Sequence, residues 1–147
     1  MRSIEFSERM AGTYVGNDGR QAPMMFEVDA VAPGPQSFVV GTPIQLRGTM
    51  TIGGIARTVP THGQLTVRLF RLGKRELVYE LSFTDDDGNQ CRYEARKDIS
   101  LIRPLSTMTT LRGHVYRAAE PIGTATVHFD LKDIPGFLSS FGLRTRV

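Results

Sequence analysis

The chain is dominated by short segments in which apolar and polar residues alternate. The clearest unit runs from Glu76 to Phe83, continues through an Asp-Asp-Asp-Gly-Asn segment, and resumes from Gln90 to Arg96. One face of this unit carries the apolar side chains of Leu77, Tyr79, Leu81 and Phe83, followed by Cys91, Tyr93 and Ala95. Alternation with a period of two, interrupted by Asp-Gly, predicts two antiparallel strands joined as a hairpin.

The same alternation recurs along most of the chain and predicts about nine or ten strands. A first strand is expected to start near Ser3, and residues 11–15 either continue it or form a second one. Further strands are expected over residues 23–31, 43–52, 55–59, 64–71, 107–118 and 124–131, with a short edge segment at 38–40. Gly12 indicates a bend in the first strand, and Pro60 favours an edge position for 55–59. Many short strands separated by turn residues predict an all-β antiparallel barrel or sandwich, with a lipocalin-like or calycin-like barrel as one form.

One short helix is predicted at the C-terminal end. Asp133 can cap its start, Pro135 suits its first turn, and Gly142 suits its end. The apolar stripe of this helix has helical spacing and comprises Ile134, Phe137, Leu138 and Phe141. Residues 1–147 are therefore interpreted as a single β-domain that carries one helix, a length that suits one domain.

The largest apolar residues on the inward faces are candidates to bind a ligand. They are Met24, Phe26, Met50, Leu65, Leu77, Tyr79, Phe83 and Tyr93. In a closed barrel these side chains could line a cavity for an apolar small molecule. Small barrels are more often filled by their own side chains, so a solid core is the competing interpretation.

Charge, cysteine content and the absence of long apolar segments indicate which binding functions and which cellular compartment to expect. Eighteen basic and fifteen acidic residues give a formal charge of +3, and the basic residues are dispersed, which argues against nucleic-acid binding. The single cysteine, Cys91, excludes an internal disulfide and suits a reducing compartment. The N-terminal residues lack the apolar segment of a signal peptide, and no stretch reaches the length of a membrane span. A cytoplasmic protein is the simplest expectation.

The sequence offers little that could perform catalysis. His62, His114 and His128 lack the spacing of a zinc site, and Cys91 has no base near it in sequence. The acidic segment 85–89 resembles the start of a calcium loop, but a strand begins at Gln90 before the remaining ligands could follow. We therefore predict no metal, no cofactor and no enzymatic activity. A small enzyme using His114, His128 and Glu80 is the least supported alternative.

Four segments, taken in order, resemble a β-rich accessory domain of multidomain bacterial glucose-methanol-choline oxidoreductases of the cholesterol-oxidase-like type. They are Phe6-Ser-Glu-Arg-Met-Ala-Gly12, Ile44-Gln-Leu-Arg-Gly-Thr49, the hairpin 83–99 with Asp87-Gly88, Tyr93 and Lys97-Asp-Ile99, and Gly123-Thr-Ala-Thr-Val-His128 with Phe137-Leu138. In such proteins the module accompanies a flavin oxidoreductase domain and sometimes an α/β-hydrolase domain. The resemblance implies contact with a substrate or lipid, or a scaffold for that partner domain, and it carries over no catalytic residue.

Two functional hypotheses follow. The first is a non-enzymatic accessory module that binds an apolar ligand, such as a sterol or a fatty acyl chain, and presents it to an oxidoreductase or hydrolase partner. The second is a protein-interaction or homo-oligomerisation module with a solid core. In the second hypothesis an exposed strand edge, at Phe38–Val40 or Ile55–Val59, would pair with a strand of another chain.

Overall fold

The computed structural model describes residues 4–33, 42–69, 75–99 and 110–129, and these residues form eight strands. The strands are β1 (Ile4–Gly16), β2 (Gln21–Ala32), β3 (Ile44–Ile52), β4 (Ala56–Leu69), β5 (Arg75–Thr84), β6 (Gln90–Ile99), β7 (Thr110–Arg117) and β8 (Glu120–Phe129). The predicted edge segment at 38–40 and the predicted helix over 133–142 lie outside the described residues.

The eight strands form one closed antiparallel barrel. Each strand pairs with the next in sequence, and β8 returns to pair with β1, from Met10 opposite Phe129 to Gly16 opposite Gly123. The all-β prediction is confirmed. The barrel is the correct one of the two predicted architectures, and the sandwich is wrong.

Within the residues that the structure describes, the prediction divided one strand into two at a proline. Residues 55–59 and 64–71 belong largely to a single strand, β4, which passes through Pro60. Pro60 lies opposite Thr49 of β3, and the ladder with β5 begins one residue later, at Thr61 opposite Phe83. The proline therefore lies just outside the β4–β5 ladder. Ala56 and Val59 pair with β3, whereas the ladder with β5 begins only at Thr61, so residues 56–59 have a ladder partner on one side only, as the predicted edge requires.

Alternation along the strands places one face of each strand in the barrel interior. In β2 the buried side chains are Met24, Phe26, Val28, Ala30 and Ala32, and the intervening side chains are exposed or half-buried. The interior therefore forms one continuous hydrophobic core to which all eight strands contribute.

Inward-facing glycines allow neighbouring strands to approach closely. A Cβ atom placed on Gly63 of β4 would lie 1.7 Å from the carbonyl oxygen of Glu80 on β5. A Cβ atom on Gly48 of β3 would lie 1.8 Å from the carbonyl oxygen of Glu27 on β2. Both distances are far below contact distance, so only glycine fits this backbone. Glycine at such positions lets a sheet bend sharply enough to close with few strands.

One end of the barrel is formed by four short connections. They are the turn after β1 at residues 17–20, the turn after β3 at 53–55, the turn after β5 at 85–89 and the turn after β7 at 118–119. We call this end the turn end. The hairpin predicted around Asp87-Gly88 is confirmed, and Gly88 has the positive φ of 86° that its turn requires.

Substitution of Gly63 by alanine tests the close strand approach. We expect Gly63→Ala to lower the free energy of unfolding by roughly 2 kcal/mol or more, because β4 and β5 must separate to admit the methyl group. The control is Gly53→Ala in the turn after β3, where the new methyl group would meet only side-chain atoms of Pro23 and Ala22 at 3.1 and 3.2 Å. Urea unfolding measures both variants. Equal stability of the two would contradict the tight packing of β4 on β5.

Candidate functional site

The eight predicted ligand-binding residues all point toward the barrel interior. Seven of them are buried, and Leu77 is partly buried against the same core. The structure therefore brings together Met24, Phe26, Met50, Leu65, Leu77, Tyr79, Phe83 and Tyr93. Phe26, Met50 and Tyr93 have no surface exposed to water, so the interior around them is closely packed.

A buried carboxylate lies within this apolar interior. Glu8 of β1 is 4% exposed, and both of its carboxylate oxygens accept a hydrogen bond from the Tyr79 hydroxyl, at 2.9 and 2.7 Å. Three strands lie between β1 and β5 in either direction around the closed barrel, so the two strands lie on opposite walls. The hydrogen bond between Glu8 and Tyr79 therefore crosses the interior of the barrel.

Two more aromatic side chains extend from Tyr79 into the interior, with Phe26 next to Tyr79 and Tyr93 next to Phe26. The ring centroid of Phe26 lies 6.4 Å from that of Tyr79 and 6.1 Å from that of Tyr93, and both ring pairs are tilted. The Tyr93 hydroxyl donates to the backbone carbonyl of Ala125 at 3.3 Å, with the carbonyl of Leu111 at 3.5 Å. The hydroxyl protons of both tyrosines are thus already directed at acceptors within the protein.

Burial shifts the pKa values of these groups strongly. Loss of hydration raises the pKa of Glu8 from an ordinary 4.5 to about 7, and the hydrogen bond from Tyr79 only partly offsets this. Burial, reinforced by the charge of Glu8, raises the pKa of Tyr79 well above its usual range. Burial also raises the pKa of Tyr93. Near neutral pH Glu8 therefore exchanges between its protonated and ionised forms.

The sequence interpretation overlooked Glu8, although the pattern contained a signal for it. Glu8 is in phase with Met10 and Tyr14, which lie on the buried face of β1. On a strand, an acidic residue in phase with apolar neighbours either lies at an edge of the sheet or is buried next to a hydrogen-bonding partner. Only the position of Tyr79, which is 71 residues away in the chain, distinguishes these cases.

A second buried carboxylate, Asp85, lies at the turn end and has a different role. Its side chain is 1% exposed and pairs with the Arg117 guanidinium at 3.1 Å. One of its oxygens accepts hydrogen bonds from the backbone N–H groups of Asn89 at 2.7 Å and Asp87 at 3.0 Å. The Cys91 thiol lies 3.8 Å from the other oxygen. These contacts tie the turn after β5 to the end of β7.

The partners of Asp85 shift its pKa in the direction opposite to that of Glu8. Burial raises the pKa of Asp85, but hydrogen bonds from the backbone and side chain of Asn89 and the charge of Arg117 outweigh burial, and the net pKa is lowered. For Cys91, burial and the neighbouring Asp85 charge raise the pKa of the thiol. The Asp85 carboxylate thus serves to hold the turn together through contacts within the protein. Cys91 is a buried, protonated thiol.

The three histidines are not brought together. His62, His114 and His128 are all exposed on the outer surface. His114 lies opposite Thr124 and His128 lies opposite Thr110, whose hydroxyl is 3.0 Å from the His128 Nδ1. Glu80 and His114 border the same outer groove, but His128 does not. The site that the enzyme alternative required from these three residues is therefore not assembled.

Comparison with known proteins adds no relative. No protein-family model, no curated protein and no solved structure matches this chain. Among the residues described, no cluster of three or more histidine, cysteine, aspartate or glutamate side chains could hold a metal ion. In the same residues, no helix has the length and apolar character needed to cross a membrane. The candidate site is accordingly defined by geometry alone, and it is the Glu8–Tyr79 pair with the apolar side chains around it.

Removal of the Asp85 carboxylate should destabilise the turn end. We expect Asp85→Ala to cost about 2–4 kcal/mol, because it leaves backbone N–H groups and the Arg117 charge without their acceptor. Asp87→Ala in the same turn is the control and should change stability by less than about 0.5 kcal/mol, since the Asp87 side chain is exposed.

The pH dependence of the same variant provides a second readout. Because the folded pKa of Asp85 is lowered, its stabilisation is present above the ordinary aspartate pKa and is lost as pH falls through the folded pKa. Unfolding curves between pH 7 and pH 2 should show this acid-induced loss in the wild type and in Asp87→Ala. Asp85→Ala should show a smaller loss, and an unchanged acid profile would contradict the assignment.

The raised pKa of Glu8 predicts the opposite pH dependence. The folded protein binds the Glu8 proton more tightly than the unfolded chain does, so stability falls as pH rises from the ordinary value of 4.5 through about 7. Glu8→Gln should remove this loss, which amounts to about 3 kcal/mol by pH 8.5.

The measurement is the free energy of unfolding of Glu8→Gln minus that of the wild type between pH 5 and pH 8.5. The matched control is Glu27→Gln on the outer face of β2, where the carboxylate is about half exposed and pairs with Arg9. A difference for Glu8→Gln that stays constant with pH would show that Glu8 ionises as an ordinary carboxylate.

Proposed function

We propose that this protein is a non-enzymatic binding module whose barrel interior accommodates an apolar small molecule with one polar group. The observation that carries the proposal is the Glu8 carboxyl, which is buried among apolar side chains with Tyr79 as its partner. The polar group of the ligand would lie at the Glu8–Tyr79 pair. The rest of the ligand would contact the apolar side chains around Phe26.

Glu8 is difficult to explain as a purely structural residue. A buried carboxylate costs stability unless charged or hydrogen-bonding partners compensate for its lost hydration. Asp85 has such compensation from Arg117 and backbone N–H groups, whereas Glu8 has a single tyrosine hydroxyl. An apolar residue at this position would fill the interior without that cost. Strongly perturbed pKa values with this character are typical of functional sites.

The interior can accept a ligand only by rearranging its own side chains, because its central residues are closely packed. Met10, Met24 and Met50 all face this interior and are almost completely buried. Methionine side chains are unbranched and adapt their shape at low cost. We propose that these three side chains move aside when the ligand enters.

The resemblance to the accessory domain of cholesterol-oxidase-like oxidoreductases supports the same proposal. It suggests a sterol or a fatty acyl chain as the apolar ligand and an oxidoreductase or hydrolase domain as the partner. In this proposal the barrel acts in the cytoplasm, contributes no catalytic residue and needs no cofactor. It holds the ligand close to the partner that transforms it.

The close packing of the interior favours a second candidate, an interaction or homo-oligomerisation module with a solid core. Its contact surface would be on the outside of the barrel. Two outer grooves, of about 710 and 500 Å³, lie on either side of Glu80. The first is bordered by Arg47, His62 and the exposed apolar side chain of Val31, and suits a partner of mixed polarity. The second is bordered by Arg112 and His114 and suits a polar partner.

Native mass spectrometry with lipid extraction, applied to the protein purified from cells, distinguishes the two candidates. The ligand-binding proposal predicts a co-purifying apolar molecule that is reduced several-fold in Glu8→Gln and retained in the outer-face control Glu27→Gln. A protein free of any small molecule at a dimeric or higher mass would instead favour the interaction module. The same lipid in all three proteins would show that Glu8 does not hold it.

A further inference from the structure

We infer that the polar group of the ligand is an uncharged hydrogen-bond donor, and that a single hydroxyl group fits best. This inference rests on the proposed function and specifies the chemical class of the ligand. It follows from counting which donors and acceptors in the interior are already in use.

Every buried hydroxyl group in the part of the chain that the structure describes already donates a hydrogen bond to an acceptor of the protein. Tyr79 donates to Glu8, Tyr93 donates to the carbonyl of Ala125, and Thr61 donates to the carbonyl of Ser82 at 2.9 Å. A ligand that only accepts hydrogen bonds, such as a ketone, an ester or an ether, would have to break one of these bonds. Such a ligand gains little while Glu8 is ionised.

Glu8 can accept further hydrogen bonds, and this is the hydrogen-bonding capacity that remains unused at the site. An ionised carboxylate offers about four lone-pair positions, and Glu8 receives only the single proton of Tyr79. Among the described residues no other group donates to Glu8. A ligand hydroxyl can donate to Glu8 without displacing Tyr79. When Glu8 is protonated, the same hydroxyl can accept a hydrogen bond from it, so the fit holds in both forms.

Charged ligands fit less well, for two different reasons. The buried polar residues of the described chain are Glu8, Thr61, Glu76 and Asp85, and none of them is a cation. A carboxylate or phosphate would therefore bring a second negative charge next to Glu8 without compensation. An ammonium group would attract Glu8, but its full charge and three N–H groups would lose far more hydration on entering the apolar interior than one hydroxyl group loses.

A set of ligands with the same twelve-carbon chain tests the inference. The probes are 1-dodecanol, dodecyl methyl ether, dodecanoate and dodecylammonium. Binding is followed at pH 8 from the methyl NMR signals of methionines labelled with ¹³C, because Met10, Met24 and Met50 report directly on the interior. We expect dodecanol to bind more than about tenfold more tightly than the ether or dodecanoate, as one hydrogen bond to a charged group predicts.

Three variants assign the preference to Glu8. Glu8→Gln should lose most of the preference for the alcohol over the ether, because the ionised acceptor is gone. Tyr79→Phe removes the hydrogen bond that lowers the pKa of Glu8, so Glu8 should stay protonated to higher pH and the preference at pH 8 should weaken. Glu27→Gln should behave as the wild type. The methionine signals of each unliganded variant also show whether the barrel remains folded.

The outcomes separate this inference from the proposed function. Equal binding of all four probes, or tightest binding of dodecylammonium or dodecanoate, would overturn the hydroxyl inference and leave the binding module standing. Absence of binding by every probe to the folded wild type would overturn both. Preference for dodecanol that persists unchanged in Glu8→Gln would also overturn the inference, because the selectivity would then originate elsewhere.

Discussion

Closure of the barrel is the constraint on which the rest of the structure depends. Pairing of β8 with β1 removes the open sides of the sheet there and creates a single enclosed interior. Eight strands make a narrow barrel, so the sheet must curve sharply and neighbouring strands must come close together. The inward-facing glycines at Gly48 and Gly63 supply that bend, because no Cβ atom fits between the adjacent strands.

The same closure creates the candidate site. In a narrow barrel, side chains on opposite walls can touch, and Tyr79 of β5 reaches Glu8 of β1 through the apolar interior. Two carboxylates within one small domain then behave in opposite ways. Asp85 is surrounded by donors and a cation and stabilises the turn end, whereas Glu8 has one neutral donor and costs stability when ionised. Local partners, rather than burial alone, decide the sign of each effect.

In the proposed binding module, ionised Glu8 costs stability, and the adaptable side chains of Met10, Met24 and Met50 in the same core make room for the ligand. Tyr79, Tyr93 and Thr61 already donate their hydroxyl protons within the protein. In the proposed module, what the interior can still offer the polar group of a ligand is therefore a hydrogen-bond acceptor. In the proposed module, the cost of burying Glu8 and the inferred chemical class of the ligand both depend on the hydrogen bond from Tyr79 to Glu8, which the closed barrel makes possible. The close packing around Phe26 and Met50 favours the alternative proposal, an interaction module with a solid core.

The sequence by itself determined the local features: the alternation of inward and outward residues, the hairpin at Asp87-Gly88, and the apolar set from Met24 to Tyr93 that faces inward. These follow from a period of two, which is a property of neighbouring residues. Only the tertiary structure decided that β8 closes on β1, that Pro60 lies within a strand, and that Glu8 is buried against Tyr79. Each of these depends on which distant strands become neighbours or face one another, and a local pattern of polarity contains no information about that pairing.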